Sequence, residues 1–334
     1  MNLQQLRSVL AAHRHRLNLT KAASDIFASQ SSVSKQIREL ETELGFDIFI
    51  RKGKRLISLT ESGEQVISLI EQAVLATDNV KRFADQYSSD DGGRLVVAMA
   101  NNLALHFLPP ILQRFNRLYP RVTIDLLNTD SRQHFQSVMD GAADIALGSG
   151  EIETSSEMIT FPAFTWRYVA IVPQNHELAN AEALYFGDIA QYPIITYDPR
   201  MEGGRQARDA FLSAGLQPNI RITASDAAII KEYVKLGLGV GIVSEIAINE
   251  SDRQTLTVLP TQQSFGIRLA KIAIRRNKLL QSFAYRFIEA LAPHLPQERI
   301  DRALRQGDIY TPSEIPSWPI WTQGLNGTFD VIDR

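Results

Sequence analysis

The sequence predicts an α/β protein in three parts: a small helical module ending in a hairpin, a long helix, and a two-lobed body of alternating strands and helices. Three observations predict it. Apolar residues recur at helical spacing through the first 45 residues; a heptad-like seam follows from residue 60; and from Arg94 onward β-type and helix-type runs alternate. The chain has 334 residues, 44% hydrophobic and 22% charged, which is the composition of an ordinary globular protein. It holds no cysteine, so disulfides, thiol nucleophiles and thiolate metal sites are excluded. The opening residues MNLQQLRSVLAAHRHR carry scattered charge and no small-residue cleavage site, and no run is long enough to span a bilayer. A cytoplasmic protein without membrane contact is expected.

Charge is unevenly placed. Residues 1–60 carry ten Lys/Arg against five Asp/Glu, a net +5, which leaves −7 for the remainder of a chain of net charge −2. A basic end on an acidic body suits one end meeting a polyanion, although a solvated charged surface accounts for the count equally well.

In the first segment, Leu3, Leu6 and Leu10 mark one helix. Thr20 is expected to cap a second helix running through Ala22, Ala23, Ile26 and Phe27. Ala28-Ser29 forms a turn, with Ser29 the cap of a third helix, QSSVSKQIRELETEL. There Val33, Ile37, Leu40 and Leu44 share one face, and Gln30, Ser31, Ser34, Lys35 and Arg38 lie on the other. Helix, short turn, helix is a helix-turn-helix pattern. FDIFIRKGKRLISL then turns at Gly53 and reads as a hairpin, a wing tipped by Arg51, Lys52, Lys54 and Arg55.

Thr60 is expected to cap the long helix. Val66, Leu69, Ala73, Ala76, Val80 and Phe83 follow coiled-coil spacing. From Glu61 to Ala84 this helix would run roughly 36 Å. Self-pairing is the economical use of such a seam; packing on its own downstream domain is the alternative. SSDDGG at 88–93 is a linker by composition.

Strands are expected at LVVAMA, VTIDLLN and DIALG, with helices at PPILQRFNRLYP and 132–140. WRYVAIVP begins a second set, with PIITY, the helix ARDAFLSAG, NIRIT, the helix AAIIKEYVKLG and VGIVS. IRLAKIAIRR and LLQSFAYRFIEAL return to the first lobe. Such alternation means parallel sheets with a cleft at the strand C-termini, where small ligands bind. Gly237, Gly239 and Gly241 follow a helix and enter a strand, the reverse of a dinucleotide site. No catalytic constellation appears, His13 and His15 do not share a helical face as metal ligands would, and the tail holds Trp318 and Trp321. Catalytic residues, metal and cofactor are all expected to be none.

This arrangement resembles the LysR-type transcriptional regulators. LNLTKAASDIFASQSSVSKQIRELETELGFDIFIR and LTESG at 59–63 carry the resemblance, with FNRLYPRV at 115–122, GAADIALG at 141–148 and KLGLGVGIVS at 235–244 in the body. Within the family, MNLQQLR, TASDAAIIKEYVKLGLGVGIV and FIEALAPHL are similar to the cysteine-regulon (CysB-like) subgroup, as is an extra segment beyond 295. The resemblance implies a winged helix-turn-helix at 1–59, a dimerisation helix at 60–87, a linker at 88–92, and a C-terminal extension at 296–334. Between them it implies a Rossmann-like, periplasmic-binding-protein-like effector domain at 93–295, with lobe I at about 93–165 and 267–295 and lobe II at about 166–266. It also implies a ligand-responsive regulator of sulfur assimilation or cysteine metabolism genes, acting as a homotetramer. Its partners would be double-stranded promoter DNA, a small-molecule effector, itself and RNA polymerase. A regulator of a non-sulfur regulon, or a solute-binding or catalytic α/β protein, are the alternatives.

In this family the third helix enters the major groove. Gln30 can offer donor and acceptor to an adenine edge, Ser31 and Ser34 permit close approach, and Lys35 and Arg38 suit phosphate or guanine. Arg38 could equally pair with Glu39 or Glu41. Arg51, Lys54 and Arg55 are phosphate contacts in this reading, and Thr20 a cap that also touches phosphate. For the effector the resemblance implies Ala100, Asn101, Asn102, Leu103, Ser149, Glu202 and Gly203, on loops that lead into helix N-termini and so favour anions. The CysB-like pattern is rich there in threonine hydroxyls and a glutamine, whereas this chain has Ala100, Asn102 and Leu103, with only Ser149 conservative. Glu202 would also repel an anion if it pointed inward. Both put a sulfate-type effector in doubt and favour a ligand with an amino group or a larger, less charged one. Asn101 and Asn102 read equally well as helix caps.

Overall fold

The computed structural model describes residues 1–53, 55–88, 92–128, 133–150, 157–306 and 314–318. The chain divides into two compact units, Met1–Asp90 with Lys278–Gln281, and Asp91–Asn277 with Ser282–Arg334.

In the first unit, α1 (Leu3–Arg14), α2 (Leu19–Asp25) and α3 (Gln30–Leu44) are followed by β1 (Phe49–Lys52), β2 (Arg55–Leu59) and α4 (Glu61–Ser88). The core joins Val9, Leu10, Val33, Ile37, Leu40, Ile48 and Phe49, all essentially without exposure. The cap of α2 is Asn18, not Thr20: the Asn18 side chain accepts from the N–H groups of Thr20 and Lys21, and Thr20 lies exposed inside the first turn. Asn competes better than Thr for this position, and Leu19 is already helical. Helix α2 also stops before Phe27, which sits at φ +53° and is 99% exposed. Ser29 caps α3 by accepting from Ser32 N–H, and Thr60 caps α4 by accepting from Gly63 N–H at 2.9 Å.

Helix α4 spans 28 residues, four beyond the expected Ala84. It carries two apolar stripes where the sequence pattern indicated one. Ile67, Ile70 and Val74 are buried in the core of the first unit, each worth about 1.5–3 kcal/mol. Leu69, Val80 and Phe83 are 62%, 69% and 54% exposed, and Ala73 and Ala76 are exposed beside them. Val66 belongs more to the first stripe, since it is half-buried against that core. Two ion pairs fasten α1 to α4, Arg7–Asp78 at 2.6 Å and Arg14–Glu71 at 3.8 Å.

The second unit contains β3 (Gly93–Met99), a π-helical turn Leu103–Phe107 running into α5 (Leu108–Leu118), β4 (Val122–Asn128), α6 (Gln133–Met139), β5 (Ile145–Gly148) and β6 (Met158–Pro173). Then come α7 (Phe186–Ile189), β7 (Ile194–Tyr197), α8 (Glu202–Ser213), β8 (Ile220–Ala224), α9 (Ala227–Lys235) and β9 (Val240–Ser244). The order ends with β10 (Leu256–Val258), β11 (Ile267–Arg275), α10 (Ser282–Leu291) and α11 (Gln297–Gln306).

The strands form one mixed sheet ordered β4-β3-β5-β11-β6-β9-β7-β8, which corrects the expectation of parallel sheets. Both flanks, β4-β3-β5 and β9-β7-β8, are parallel, whereas β11 and β6 run antiparallel to each other and to the flanks they touch. The cause is the return crossing. The chain passes from one flank to the other along β6 and comes back along β11, so the two long strands must oppose. Strand β6 changes partner between Arg167, opposite Ile267 of β11, and Tyr168, opposite Ser244 of β9. WRYVAIVP is therefore the second half of a 16-residue strand and not the start of a new set.

Helix α8 begins at Glu202, five residues before the expected ARDAFLSAG, because its glycines are close-packing residues and not breakers. A Cβ on Gly203 would come within 2.6 Å of the Tyr197 ring, and one on Gly204 within 2.3 Å of the Asp198 carbonyl oxygen. Beyond α11, Thr165 N–H donates to the Pro316 carbonyl, and the Trp318 ring lies 5.7 Å from Phe107 and 5.6 Å from Phe164. Trp321, Lys54 and the linker residues 89–91 lie outside the described residues.

Candidate functional site

Helix α3 owes its length to an apolar face every three to four residues, a serine cap at its start and a glycine at φ +78° past its end. Its other face offers Gln30, Ser31, Lys35 and Arg38 exposed and Ser34 half-buried. Ser31 Oγ lies 3.0 Å from Ser29 Oγ, and Lys35 pairs with Glu39 at 3.7 Å. Arg38 pairs with neither Glu39 nor Glu41: the first is taken by Lys35, and the second is buried against the wing. Gln30, Ser34 and Arg38 thus have uncommitted side chains among the described residues.

The wing departs from expectation at Arg51. Its side chain is 21% exposed and its guanidinium pairs with Glu41 at 2.5 Å, where the sequence suggested a side chain free at the wing tip. Lys52 and Arg55, opposite each other at the hairpin end, are exposed and carry no ion pair among the described residues.

In the second unit, all seven expected effector residues, Ala100, Asn101, Asn102, Leu103, Ser149, Glu202 and Gly203, line one cleft of about 730 Å³. The segment after β3 supplies four, the end of β5 supplies Ser149, and the first turn of α8 supplies the rest. Asn102 stands at the N-cap position of the π-helical turn, but neither asparagine makes a side-chain capping bond among the described residues. Asn102 Nδ2 donates to the Tyr197 hydroxyl at 3.3 Å, and Asn101 donates to Asp226 while accepting from Asn128 at 3.0 Å. Asp226 itself caps α9 through Ala228 N–H.

Glu202 is neutralised. Its carboxylate pairs with Arg268 of β11, the two side chains being 21% and 23% exposed. The expected repulsion of an anion therefore fails, because β11 brings in a cation that lies 66 positions away in sequence. Met201 at the α8 N-cap makes no side-chain capping bond, and Met201, Glu202 and Gly203 of this helix start line the cleft. Arg205 on the same turn lines the cleft with no carboxylate partner among the described residues; its Nη1 donates to the Arg200 carbonyl at 2.6 Å.

The sequence reading also missed the cleft's walls. Trp166 and Tyr168 lie two apart on β6, a strand-period signal in WRY, and Trp166 Nε1 donates to Ser149 Oγ at 2.7 Å. Tyr197 is buried; burial pushes its phenol up to about 12, against the opposing Ser244 N–H and Asn102 contacts, so it stays neutral while its oxygen accepts from both. Burial raises Tyr168 likewise. Ser244, 2% exposed, has a buried hydroxyl with no partner among the described residues. The site can thus hold a small anion on α8 and Arg205 while an aromatic wall covers an apolar part.

Two family models match. Residues 3–64 fit the bacterial regulatory helix-turn-helix protein, lysR family, and residues 88–296 fit the LysR substrate binding domain. The chain belongs to the LysR family. Among its LysR relatives, it is 40% identical to the HTH-type transcriptional regulator SsuR of Burkholderia cenocepacia, over 92% of this chain and 99% of that one. It is 37% identical to CysB of the same organism, over 91% and 97%. The crystal structure of the cofactor-binding domain of the Cbl transcriptional regulator is similar at a TM-score of 0.59 and 30% identity, covering 65% of this chain and 95% of that one. A full-length OxyR variant from Pseudomonas aeruginosa shares the fold at a TM-score of 0.65 and 19% identity, over 88% and 94%. This LysR-family chain is a transcriptional regulator with a DNA-binding and a ligand-binding part. No helix among the described residues is long and apolar enough to cross a membrane.

Proposed function

We propose that this chain regulates sulfur-assimilation or cysteine-metabolism genes, reading promoter DNA through α3 and sensing a small anionic metabolite in the cleft. The observation that carries the sensing half is the cleft itself. Seven residues expected from the resemblance line it, and the Glu202 carboxylate is paired with Arg268. The second lining carboxylate, Asp226, accepts from Asn101 and the Ala228 N–H, and α8 offers an uncapped N-terminus beside Arg205. The sulfur assignment rests on the CysB-like motifs and on the identity with relatives named CysB and SsuR. Gln30, Ser31, Ser34, Lys35 and Arg38 form the base- and phosphate-facing set, with Arg55 and Lys54 at the wing. The division at 59, 87, 92 and 295 separates reader, dimer helix, linker, sensor and extension. The exposed stripe of α4 pairs two copies and pairs of dimers give a tetramer, which meets RNA polymerase at the promoter in the cytoplasm; the protein performs no catalysis.

An effector acts only through unequal affinity for two conformations of the oligomer. Thermal melting of the full chain with sulfate, thiosulfate, O-acetylserine or N-acetylserine tests the reading. Saturation at a hundred times Kd stabilises by about 2.7 kcal/mol, and at least one of the four should raise the melting temperature. No shift with any of them would overturn the sulfur assignment while leaving DNA binding intact.

A further inference from the structure

We propose that Glu41 and Arg51 are positioning residues that lock the wing onto the recognition helix, and that, among the described residues, the wing's phosphate contacts fall to Lys52 and Arg55. The proposal goes beyond the functional reading above and rests on its DNA-binding half.

Glu41 sits in the last turns of α3 and is 5% exposed. Isolated, a carboxylate this deep would cost several kcal/mol. Here its oxygens are fully engaged: Oε1 accepts from Ile48 N–H at 2.9 Å and Phe49 N–H at 3.1 Å, and Oε2 from Arg51 Nη2 at 2.5 Å. Those three donors are the approach to β1 and β1 itself. One side chain of the recognition helix thereby fixes the backbone where the wing begins and the side chain two positions further along.

Strand alternation explains why Arg51 serves here. Phe49 is buried, Ile50 and Lys52 are exposed, and Arg51 is turned back toward α3, with the register shifting between Ile50 and Arg51. Asp47 holds the second nitrogen of the guanidinium at 3.9 Å. A guanidinium committed to a buried carboxylate is a poor phosphate ligand, because a bond to phosphate would compete with Glu41, its side chain 4% exposed, for its partner. Asp47 is exposed and adds only a weak second contact. Lys52 and Arg55 face each other across the hairpin with no such obligation.

The two roles differ in sign. Glu41→Gln keeps an acceptor for the two backbone N–H groups and removes one negative charge. Were Arg51 a phosphate contact, that change would free a cation and hold or raise DNA affinity. As a positioning pair, its disruption loosens the wing and lowers affinity. The salt dependence separates them again, since each phosphate neutralised contributes about 0.9 to the slope of log K against log salt on duplex DNA.

The experiment uses full-length protein and a duplex that the wild type itself selects from a random pool, titrated at several salt concentrations, with a thermal melt of each variant. Glu41→Gln and Arg51→Ala should each lose roughly tenfold in affinity with the salt slope unchanged, and the double variant should be no worse than the poorer single. Arg55→Ala should flatten the slope by about one. Should Arg51→Ala fail to fold, Glu41→Gln decides alone. Unchanged or tighter binding by Glu41→Gln, or an Arg51→Ala slope flattened by about one, would overturn the proposal. A wild type that selects no duplex would overturn the DNA-binding reading on which it stands.

Discussion

Recognition helix and effector cleft use polar side chains in opposite ways. On α3, Gln30, Ser34 and Arg38 are uncommitted among the described residues. In the cleft almost every polar group answers another: Asn101 to Asp226, Asn102 to Tyr197, Ser149 to Trp166, Glu202 to Arg268. A surface that will meet a hydrated polyanion can keep its donors in water until contact. A cleft that must hold its shape satisfies its own groups first, and the few without a partner among the described residues, such as the Ser244 hydroxyl, are those proposed to meet a ligand. Substitution should therefore cost stability in the cleft and selectivity on the helix.

The largest effect expected from this contrast is at Arg268→Met. Glu202 would be left in the cleft without its cation, for a loss of about 2–3 kcal/mol, below the 3–5 kcal/mol of a fully buried pair because both side chains are about one-fifth exposed. Chemical denaturation measures it, and a loss under about 0.5 kcal/mol would mean that the pair is idle.

Next comes Gln30→Ala, which should leave the melt unchanged but reduce discrimination between the selected duplex and random DNA by about 1–3 kcal/mol. Equal losses on both duplexes would contradict the base-reading role and blur the contrast.

The smallest effect is a pH dependence. His106, on the π-helical turn that also carries Leu103 of the cleft, is held below its usual 6.5 chiefly by burial and then by the Lys231 charge, with Asp252 and Asp226 opposing. Between the folded and unfolded values the unfolded chain binds more protons. The stability contribution is thus complete above pH 6.5, falls as pH drops through that value and levels off below the folded pKa. Melting at pH 8 and pH 5.5 should show a smaller drop for His106→Asn than for wild type; identical drops would remove His106 as the cause.

The same contrast explains what could be read in advance. Local rules sufficed for α3, its serine cap and its two faces, and for Thr60 at the head of α4, because each depends on neighbours within four residues. Where two residues compete for one local role the reading slipped, as when Asn18 displaced Thr20. It failed wherever a distant segment intervenes. Arg268 pairs with Glu202, Glu41 engages the Arg51 guanidinium, the Tyr197 ring explains Gly203, and the β6–β11 crossing turns an expected parallel sheet into a mixed one. The single seam read in α4 hid a second stripe for a related reason, since Ile67, Ile70 and Val74 acquire their burial only against α1 and its neighbours.

The central claim is that the basic amino-terminal module reaches duplex DNA as a pair joined along the exposed stripe of α4. Sedimentation of wild-type and Val80→Asp chains, free and on the selected duplex, tests it most directly. Val80 is 69% exposed in the single chain, so an aspartate there leaves the fold intact, but a carboxylate in a closed seam costs several kcal/mol. Wild type should sediment as a dimer or higher and bind two half-sites about one helical turn or its multiples apart, whereas Val80→Asp should sediment as a folded monomer and lose the paired footprint. A Val80→Asp chain that remains assembled and binds as wild type does would contradict it.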